Sequence, residues 1–279
     1  MADLYRQCFL SKVSSWKEKN IKQNGTKTYS FAESRIKLIM VRQENMPRVA
    51  DWHIKSKHPH YIHYYFLNRD IKEAINKYAK GHFLDLGCGN KPYKSIYKPV
   101  TTSQIGCDII QSDKNQVDVI CPVTDLKFDN NSFDSLLCTQ VLEHVFEHDK
   151  MMQEMNRVLK PGGTVILTVP FAWELHEEPY DFFRYTKHSL KELFVNNGFN
   201  IEYIKPNGGK WAAIYQLRTN MMYHSFRKHR TLLNKLKKIL FMEFRLTQLR
   251  NHFAIWLDKK YYDDVFTLNY IVVARKPLP

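Results

Sequence analysis

The stretch His82-Phe83-Leu84-Asp85-Leu86-Gly87-Cys88-Gly89-Asn90-Lys91-Pro92-Tyr93 limits the possible folds more than any other part of the chain. A short apolar run of Phe83, Leu84 and Leu86, interrupted by one acid and closed by two glycines one residue apart, reads as a buried strand entering a tight turn. Glycine suits a place where backbone passes close to a ligand, because no Cβ stands in the way. The turn is of the nucleotide-binding type. It continues Asn90-Lys91-Pro92, so the third glycine of a dinucleotide fingerprint is missing and Pro92 fits the first turn of a helix. An NAD pyrophosphate site is disfavoured.

Around this turn the chain alternates strand and helix patterns, the mark of βαβ units and a parallel sheet. Further strands are expected over 103–110, 117–120, 135–138, 164–169 and 200–205, with helices over 150–159 and 187–197, the second opened by Thr186 as N-cap and closed by Gly198. A helix over 61–78, stopped by Gly81, leads into the first strand, and helices near 3–19 and 31–42 precede it. After residue 207 the pattern becomes long, helical and basic until a last strand over 266–274. With 279 residues and 44% hydrophobic content, one α/β domain with additions is the expectation.

The charge is concentrated in that helical stretch. The chain carries 42 Lys and Arg against 28 Asp and Glu, and residues 210–260 hold twelve of those cations against only Glu243 and Asp258. Leu232, Leu233, Leu236, Ile239 and Leu240 recur at helical spacing with Lys235, Lys237 and Lys238 between them, which predicts an amphipathic basic helix. Such a helix packs on the sheet with a solvated face, or lies on an anionic membrane surface. Nucleic acid is the less favoured partner, since no RNA-binding module is recognisable. The five cysteines form no CxxC pair, so neither a disulfide framework nor a zinc ribbon is expected, and a reducing cytosol fits. No signal-peptide core and no bilayer-length apolar run is present; the expected location is cytoplasmic, at most peripheral on the inner membrane face.

Five ordered blocks carry a family resemblance: Asp85, Gly87 and Gly89 in the order DxGxG, Asp108 closing the second strand, Leu126 to Asp134, Val141-Leu142-Glu143-His144-Val145, and Arg157-Val158-Leu159-Lys160-Pro161-Gly162-Gly163. Together they resemble the class I S-adenosylmethionine-dependent methyltransferases. The resemblance implies an α/β Rossmann-like fold, with a mostly parallel seven-stranded sheet and helices on both faces. It divides the chain into an N-terminal helical cap (1–80), the cofactor-binding core (81–207), a basic helical insertion (208–262) and a last strand completing the sheet (263–279). S-adenosyl-L-methionine is the implied cofactor, held by Asp85, Gly87, Cys88, Gly89, Asp108, Ile109, Val123, Thr139 and Gln140. Asp108, closing the second strand, matches the carboxylate that accepts from both ribose hydroxyls. Where the family often has an adenine-binding Asp, Pro122 stands here, so Cys121, Val123 and Thr124 would frame the adenine through backbone atoms. Pro170-Phe171, His176 and the run Pro179 to Thr186 further resemble a bacterial subgroup often encoded among surface-polysaccharide genes.

The implied reaction asks mainly for alignment, because the sulfonium already activates its methyl group. A sugar hydroxyl, with its high pKa, needs a base near neutrality, and histidine is the natural choice. His176, after the fifth strand, is the first candidate, ahead of His144, Glu177 and Asp181. Arg184 could grip a substrate phosphate or carboxylate bidentately, or pair with Asp181. His176, Asp181, Arg184 and His144 are therefore the candidate catalytic residues. Tyr180, Phe182, Phe183 and Tyr185 form either core or a wall against a sugar ring. The run from His144 to His148 fits an HxxEH pattern, but its place after strand four argues for no metal. His58, His60 and His63 are expected on a solvent-facing loop. The expected activity is O-methylation of a saccharide or lipid-linked glycan, with quinone-like lipids, other small molecules or RNA as alternative acceptors and a non-catalytic cofactor-binding scaffold as the contrasting class.

Overall fold

Strand β1 (His82–Leu86) has hydrogen-bonded neighbours on both sides, and this sets the architecture. In this computed structural model the described residues are Val49, 51–228 and 246–279, all within the compact unit Pro47–Pro279. β1 pairs in parallel with β2 (Ser103–Asp108) and with β4 (Phe133–Thr139). β2 pairs in turn with the two-residue β3 (Val119–Ile120), and β4 with β5 (Leu159–Pro170), again in parallel. The chain thus builds outward from β1, returns, and builds the other way. Loops leaving the carboxyl ends of β1 and β4 diverge and open a crevice between them. The last strand, β7 (Asn269–Arg275), runs antiparallel between β5 and β6 (Asn200–Asn207), giving the order β3-β2-β1-β4-β5-β7-β6. This is the Rossmann-like, mostly parallel seven-stranded sheet that the sequence implies.

Successive strand residues point to opposite faces, and both faces are apolar, so both must be covered. Leu84, Leu86, Leu136, Cys138, Val165 and Leu167 pack with Met151, Met152 and Met155 of helix α3 (His148–Val158) and with Phe194 of α4 (Lys187–Asn196). Phe83, Leu137, Ile166, Ile271 and Val273 face the other way, onto Leu67, Ile71, Ala74 and Ile75 of α1 (Tyr61–Tyr78) and onto Tyr97 of the short α2 (Lys94–Tyr97). Thr186 caps α4 as expected: its hydroxyl accepts the Ser189 N–H at 3.2 Å while the Ser189 hydroxyl accepts the Thr186 N–H at 3.0 Å.

Two further helices, α5 (Lys210–Lys228) and α6 (Leu246–Lys260), occupy the described parts of the basic stretch. The orphan N–H groups that open α5 are satisfied from a distance. Buried Asp258 of α6 accepts the Gly209 N–H at 3.0 Å and the Ala212 N–H at 2.9 Å, acting as a cap supplied by another helix. In the middle of α1, buried Asp70 accepts from the Asn207 side chain at 2.7 Å, tying that helix to the end of β6.

Several element limits differ from the sequence reading. β5 starts at Leu159, because the Pro161-Gly162-Gly163 turn is absorbed into the strand with Gly162 at φ +75°, and the register against β4 shifts there. β7 starts at Asn269 rather than 266, since the buried Thr267 hydroxyl is bound to the backbone carbonyls of Asn207 and Gly208 before the ladder begins. His63 is not on a solvent-facing loop. It lies in the first turns of α1, 5% exposed, against Trp173 at a ring distance of 4.4 Å, and burial together with the charges of His60 and His176 lowers its pKa to about 3. The helices expected near 3–19 and 31–42 and the amphipathic run Leu232 to Leu240 lie outside the described residues. No described helix is long and apolar enough to cross a membrane.

Replacing Asp258 with Ala should leave two buried helix-terminal N–H groups unpaired. We expect a loss of about 2 kcal/mol, read as a lower urea midpoint with an unchanged denaturant slope. An unaltered midpoint would show that the cap contributes nothing.

Candidate active site

The turn after β1 is folded back on β2 by its own backbone. The N–H groups of Gly87 and Cys88 both donate to the Cys107 carbonyl, at 2.9 and 3.0 Å. Gly87 sits at φ +70° and Gly89 at φ +49°, conformations that favour glycine. A Cβ at Gly87 would come within 2.3 Å of Val141 Cγ2, so the loop after β4 can pack onto the turn only because no side chain is there. Asp108, at the end of β2, faces the same turn: one carboxylate oxygen accepts the Gly89 N–H at 3.0 Å and the other the Ile109 N–H at 2.7 Å. The Cys121 N–H donates to the Asp108 carbonyl at 3.0 Å, bringing the loop that carries Val123 to the same sheet edge. Beyond β4, Gln140 is held at φ +54°, its N–H donating to the Thr168 carbonyl at 2.9 Å and its side-chain amide to the Thr168 hydroxyl at 3.2 Å. Thr139 ends β4 beside it, half-buried. The residues assigned from sequence to the cofactor thus gather around one crevice mouth, except that the Cys88 thiol is buried and turned toward Gly106.

Asp85 lies beneath the turn in the end of β1. Burial raises its pKa to about 7; the hydrogen bond from the Tyr97 hydroxyl and the charge of Lys91 work against that rise. Its Oδ2 has no hydrogen-bond partner among the described residues. A buried carboxylate oxygen without a donor, under a turn of two glycines, fits a cationic or hydrogen-bond-donating ligand group seated above it.

The other side of the crevice is built by the loops after β4 and β5. The turn Leu142–His144 is stitched to the later loop by its backbone: the Glu143 carbonyl accepts the N–H groups of Phe182 and Phe183, at 2.9 and 3.3 Å. This brings His176 to His144, with ring centroids 4.8 Å apart, and both imidazoles to the carboxyl group of Glu143. His144 Nε2 is 3.8 Å and His176 Nε2 4.0 Å from Glu143 Oε1. Glu143 is fully buried; burial pushes its pKa up to about 8, and the charges of Asp181 and Glu177 push it the same way. His176 Nδ1 lies 3.1 Å from Asp181 Oδ2 and 3.2 Å from the Glu174 carbonyl, and His144 Nδ1 lies 3.0 Å from the Tyr180 carbonyl.

Of the two roles open to Arg184, the structure shows the pairing with Asp181. Both guanidinium nitrogens donate to its carboxylate at 2.6 Å, so the fork that could have gripped a substrate phosphate is already engaged. Burial alone would raise the Asp181 pKa, but the bonds from Arg184 and from the His176 N–H, with the charges of both residues, outweigh it and hold the carboxylate at about 2. Asp181 and Arg184 are therefore positioning residues for His176. Of the aromatic run, Tyr185 is core, whereas Phe182 is exposed and meets Phe146, itself 65% exposed, at 5.5 Å; these two form an apolar lip beside the histidines. Glu143 was not among the residues singled out from sequence. Its signal lay in the Val141 to Val145 block, but nothing in that block says that its side chain is buried against a histidine 33 positions later. His148 stands apart from this group: it opens α3 and packs on Phe183.

The raised pKa of Asp85 carries a pH signature. The unfolded carboxyl releases its proton near 3.8 and the folded one near 7, so this group's contribution to stability is complete below about pH 4 and is lost as pH rises to about 7. Urea midpoints of the ligand-free protein should therefore fall between pH 5 and 7, and Asp85→Asn should flatten that fall. An equal slope in the variant would mean that Asp85 titrates normally.

Comparison with known proteins agrees with this geometry. A methyltransferase-domain family profile matches residues 84–167. The chain is 34% identical over 104 residues to a tRNA (carboxymethyluridine(34)-5-O)-methyltransferase of Arabidopsis thaliana, covering 34% of this chain and 24% of that protein. It is 31% identical over 113 residues to a demethylmenaquinone methyltransferase of Clavibacter sepedonicus, covering 39% of this chain and 45% of that one. The matches span about half or less of the length of the first curated relatives. The crystal structure of the [4+2]-cyclase SpnF shares the fold, with a TM-score of 0.54 at 17% identity over 88% of this chain and 93% of that one. With the strand order, the glycine turn and the β2 carboxylate, the profile match establishes that the chain carries a class I S-adenosylmethionine-dependent methyltransferase domain.

Proposed function

We propose that the protein transfers a methyl group from S-adenosylmethionine to an oxygen of a saccharide or lipid-linked glycan. One observation carries the reading: two imidazoles, His144 and His176, converge on the buried Glu143 carboxyl beside the cofactor turn, on the loops after β4 and β5. Transfer to carbon on an activated ring or to a thiolate asks less of a base, whereas an alcohol must lose its proton as it is methylated.

The bound cofactor supplies an electrophilic methyl group on a sulfonium. The chain's own residues do the rest. Asp108 faces the turn where ribose hydroxyls would donate, and the unpartnered Asp85 Oδ2 suits a donor group above the glycines. Asp181 and Arg184 fix the His176 ring, and the cluster removes the acceptor's proton. Phe146, Phe182 and Leu175, the last 68% exposed, present apolar surface beside it, as a sugar face or lipid stem requires. For a lipid-linked acceptor the exposed row Leu249, Phe253 and Trp256 on α6, with the Lys260 ammonium 5.0 Å from the Trp256 ring, supplies a surface that could rest on an anionic membrane.

Two measurements test this. Asp108→Ala should weaken S-adenosylmethionine binding by about tenfold or more in calorimetry, roughly 1.4 kcal/mol, while the fold is retained. With tritium-labelled cofactor, label should enter lipid-linked or free polysaccharide fractions, and His176→Ala should slow incorporation by about 10² to 10⁴. Label confined to quinone or RNA fractions would overturn the acceptor assignment, and tight cofactor binding without label in any fraction would favour a scaffold.

A further inference from the structure

We propose that Glu143, His144 and His176 bind one divalent transition-metal ion on the acceptor side of the crevice. The proposal deepens the reading above and rests on it only for the ion's role. Three ligand atoms, one from each residue, lie within 4.8 Å of one another, with two of the separations at 3.8 and 4.0 Å. Around a tetrahedral ion with bonds of about 2.0–2.2 Å, neighbouring ligands stand roughly 3.4 Å apart, so closing onto an ion asks each pair to draw in by at most about 1.4 Å, shared between its two side chains.

The chemistry of the gap favours a cation. His176 Nδ1 has two acceptors close by, Asp181 Oδ2 at 3.1 Å and the Glu174 carbonyl at 3.2 Å, while Arg184 Nη2 is farther at 3.4 Å, so Nδ1 carries the proton and Nε2 offers a lone pair. His144 Nδ1 bonds the Tyr180 carbonyl at 3.0 Å, which requires the same tautomer. Both Nε2 atoms lie near Glu143, whose two carboxyl oxygens are buried without a hydrogen-bond partner among the described residues. A proton on Glu143 cannot satisfy the group, because 3.8 and 4.0 Å are beyond hydrogen-bonding distance. Electron-pair donors converging on one point are what a metal ion requires, and each histidine already has the outer-shell acceptor that fixes a ligating imidazole.

Two imidazoles and one carboxylate suit zinc, iron(II), manganese or cobalt better than magnesium or calcium, and three protein ligands leave coordination positions open. An acceptor hydroxyl oxygen entering such a position would be acidified by the ion. In the ion-bound protein the cluster thus draws off the acceptor's proton through the metal: the proton leaves to solvent as the oxygen–methyl bond forms and the methyl–sulfur bond breaks, the electron pair staying on sulfur.

The test uses the full-length protein after dialysis against a chelator. Zinc titrated by calorimetry should bind at one site per chain, and cobalt(II) should produce visible d–d absorption that zinc displaces. Glu143→Gln and His176→Asn should each weaken zinc binding about 100-fold or more, and Asp181→Asn about tenfold, with circular dichroism unchanged. Should these variants fail to fold, the wild-type melting temperature carries the test: it should rise with zinc and fall back on adding chelator. No binding of zinc, cobalt, manganese or iron(II) to the wild type, or binding unaltered in folded variants, overturns the proposal. Full methyl transfer by the chelator-treated protein overturns the metal and leaves the transferase reading intact. One bound zinc without methyl transfer to any fraction upholds the site and overturns that reading.

Discussion

The parallel pairing of β1 with both β2 and β4 is the constraint on which the site depends. It places the Gly87 turn, the Asp108 carboxylate and the loop beginning at Thr139 at one sheet edge, on backbone ladders rather than on flexible side chains. The Cys107 carbonyl, accepting from Gly87 and Cys88 together, then fixes the height of the turn. Its glycines have two separate duties: positive φ lets the turn form, and the missing Cβ at Gly87 lets Val141 close against it. A methyl group at that point would separate the halves of the crevice.

The two sides of the crevice are made in different ways. The cofactor side is backbone: N–H groups, a carbonyl and one carboxylate held by two amides. The acceptor side is side chains on loops, and its order comes from a hydrogen-bonded chain running from Arg184 through Asp181 to His176. The electrostatics differ accordingly. Asp181 is kept ionised far below neutrality, whereas Glu143, only a few ångströms beyond the same histidine, is pushed toward its neutral form. Two carboxyl groups on opposite sides of one imidazole thus have opposite protonation preferences, the arrangement by which proteins divide acid and base roles.

Much of this was legible in the sequence. The short apolar runs of the strands, the paired glycines of the turn and the Thr186 cap are local signals, and local signals survive in one dimension. The gathering of Asp85, Asp108, His144 and His176 at one edge was implied by the family resemblance, whose motif order these residues match. What was not legible depends on contacts across long stretches of chain. The burial of Glu143 follows from backbone bonds to Phe182 and Phe183, some forty residues on. The choice between substrate and Asp181 for Arg184 is a matter of rotamer and distance, and the two alternatives have the same sequence. The capping of α5 by Asp258 belongs to the same class, since a capping residue is sought beside the helix it serves and here lies about fifty residues away. His63 was misplaced because a histidine run looks polar, although Ile62, Phe66 and Leu67 mark it as part of a buried helical face.

The antiparallel strand between β5 and β6 has a consequence for how the chain is made. Among the described residues β6 pairs with the sheet only through β7, which is translated some sixty residues later. During synthesis the five parallel strands can associate as they emerge, but β5 keeps a bare edge and β6 has no partner until Asn269–Arg275 leaves the ribosome. For that interval the nascent domain presents unpaired backbone groups of the kind that recruit other chains.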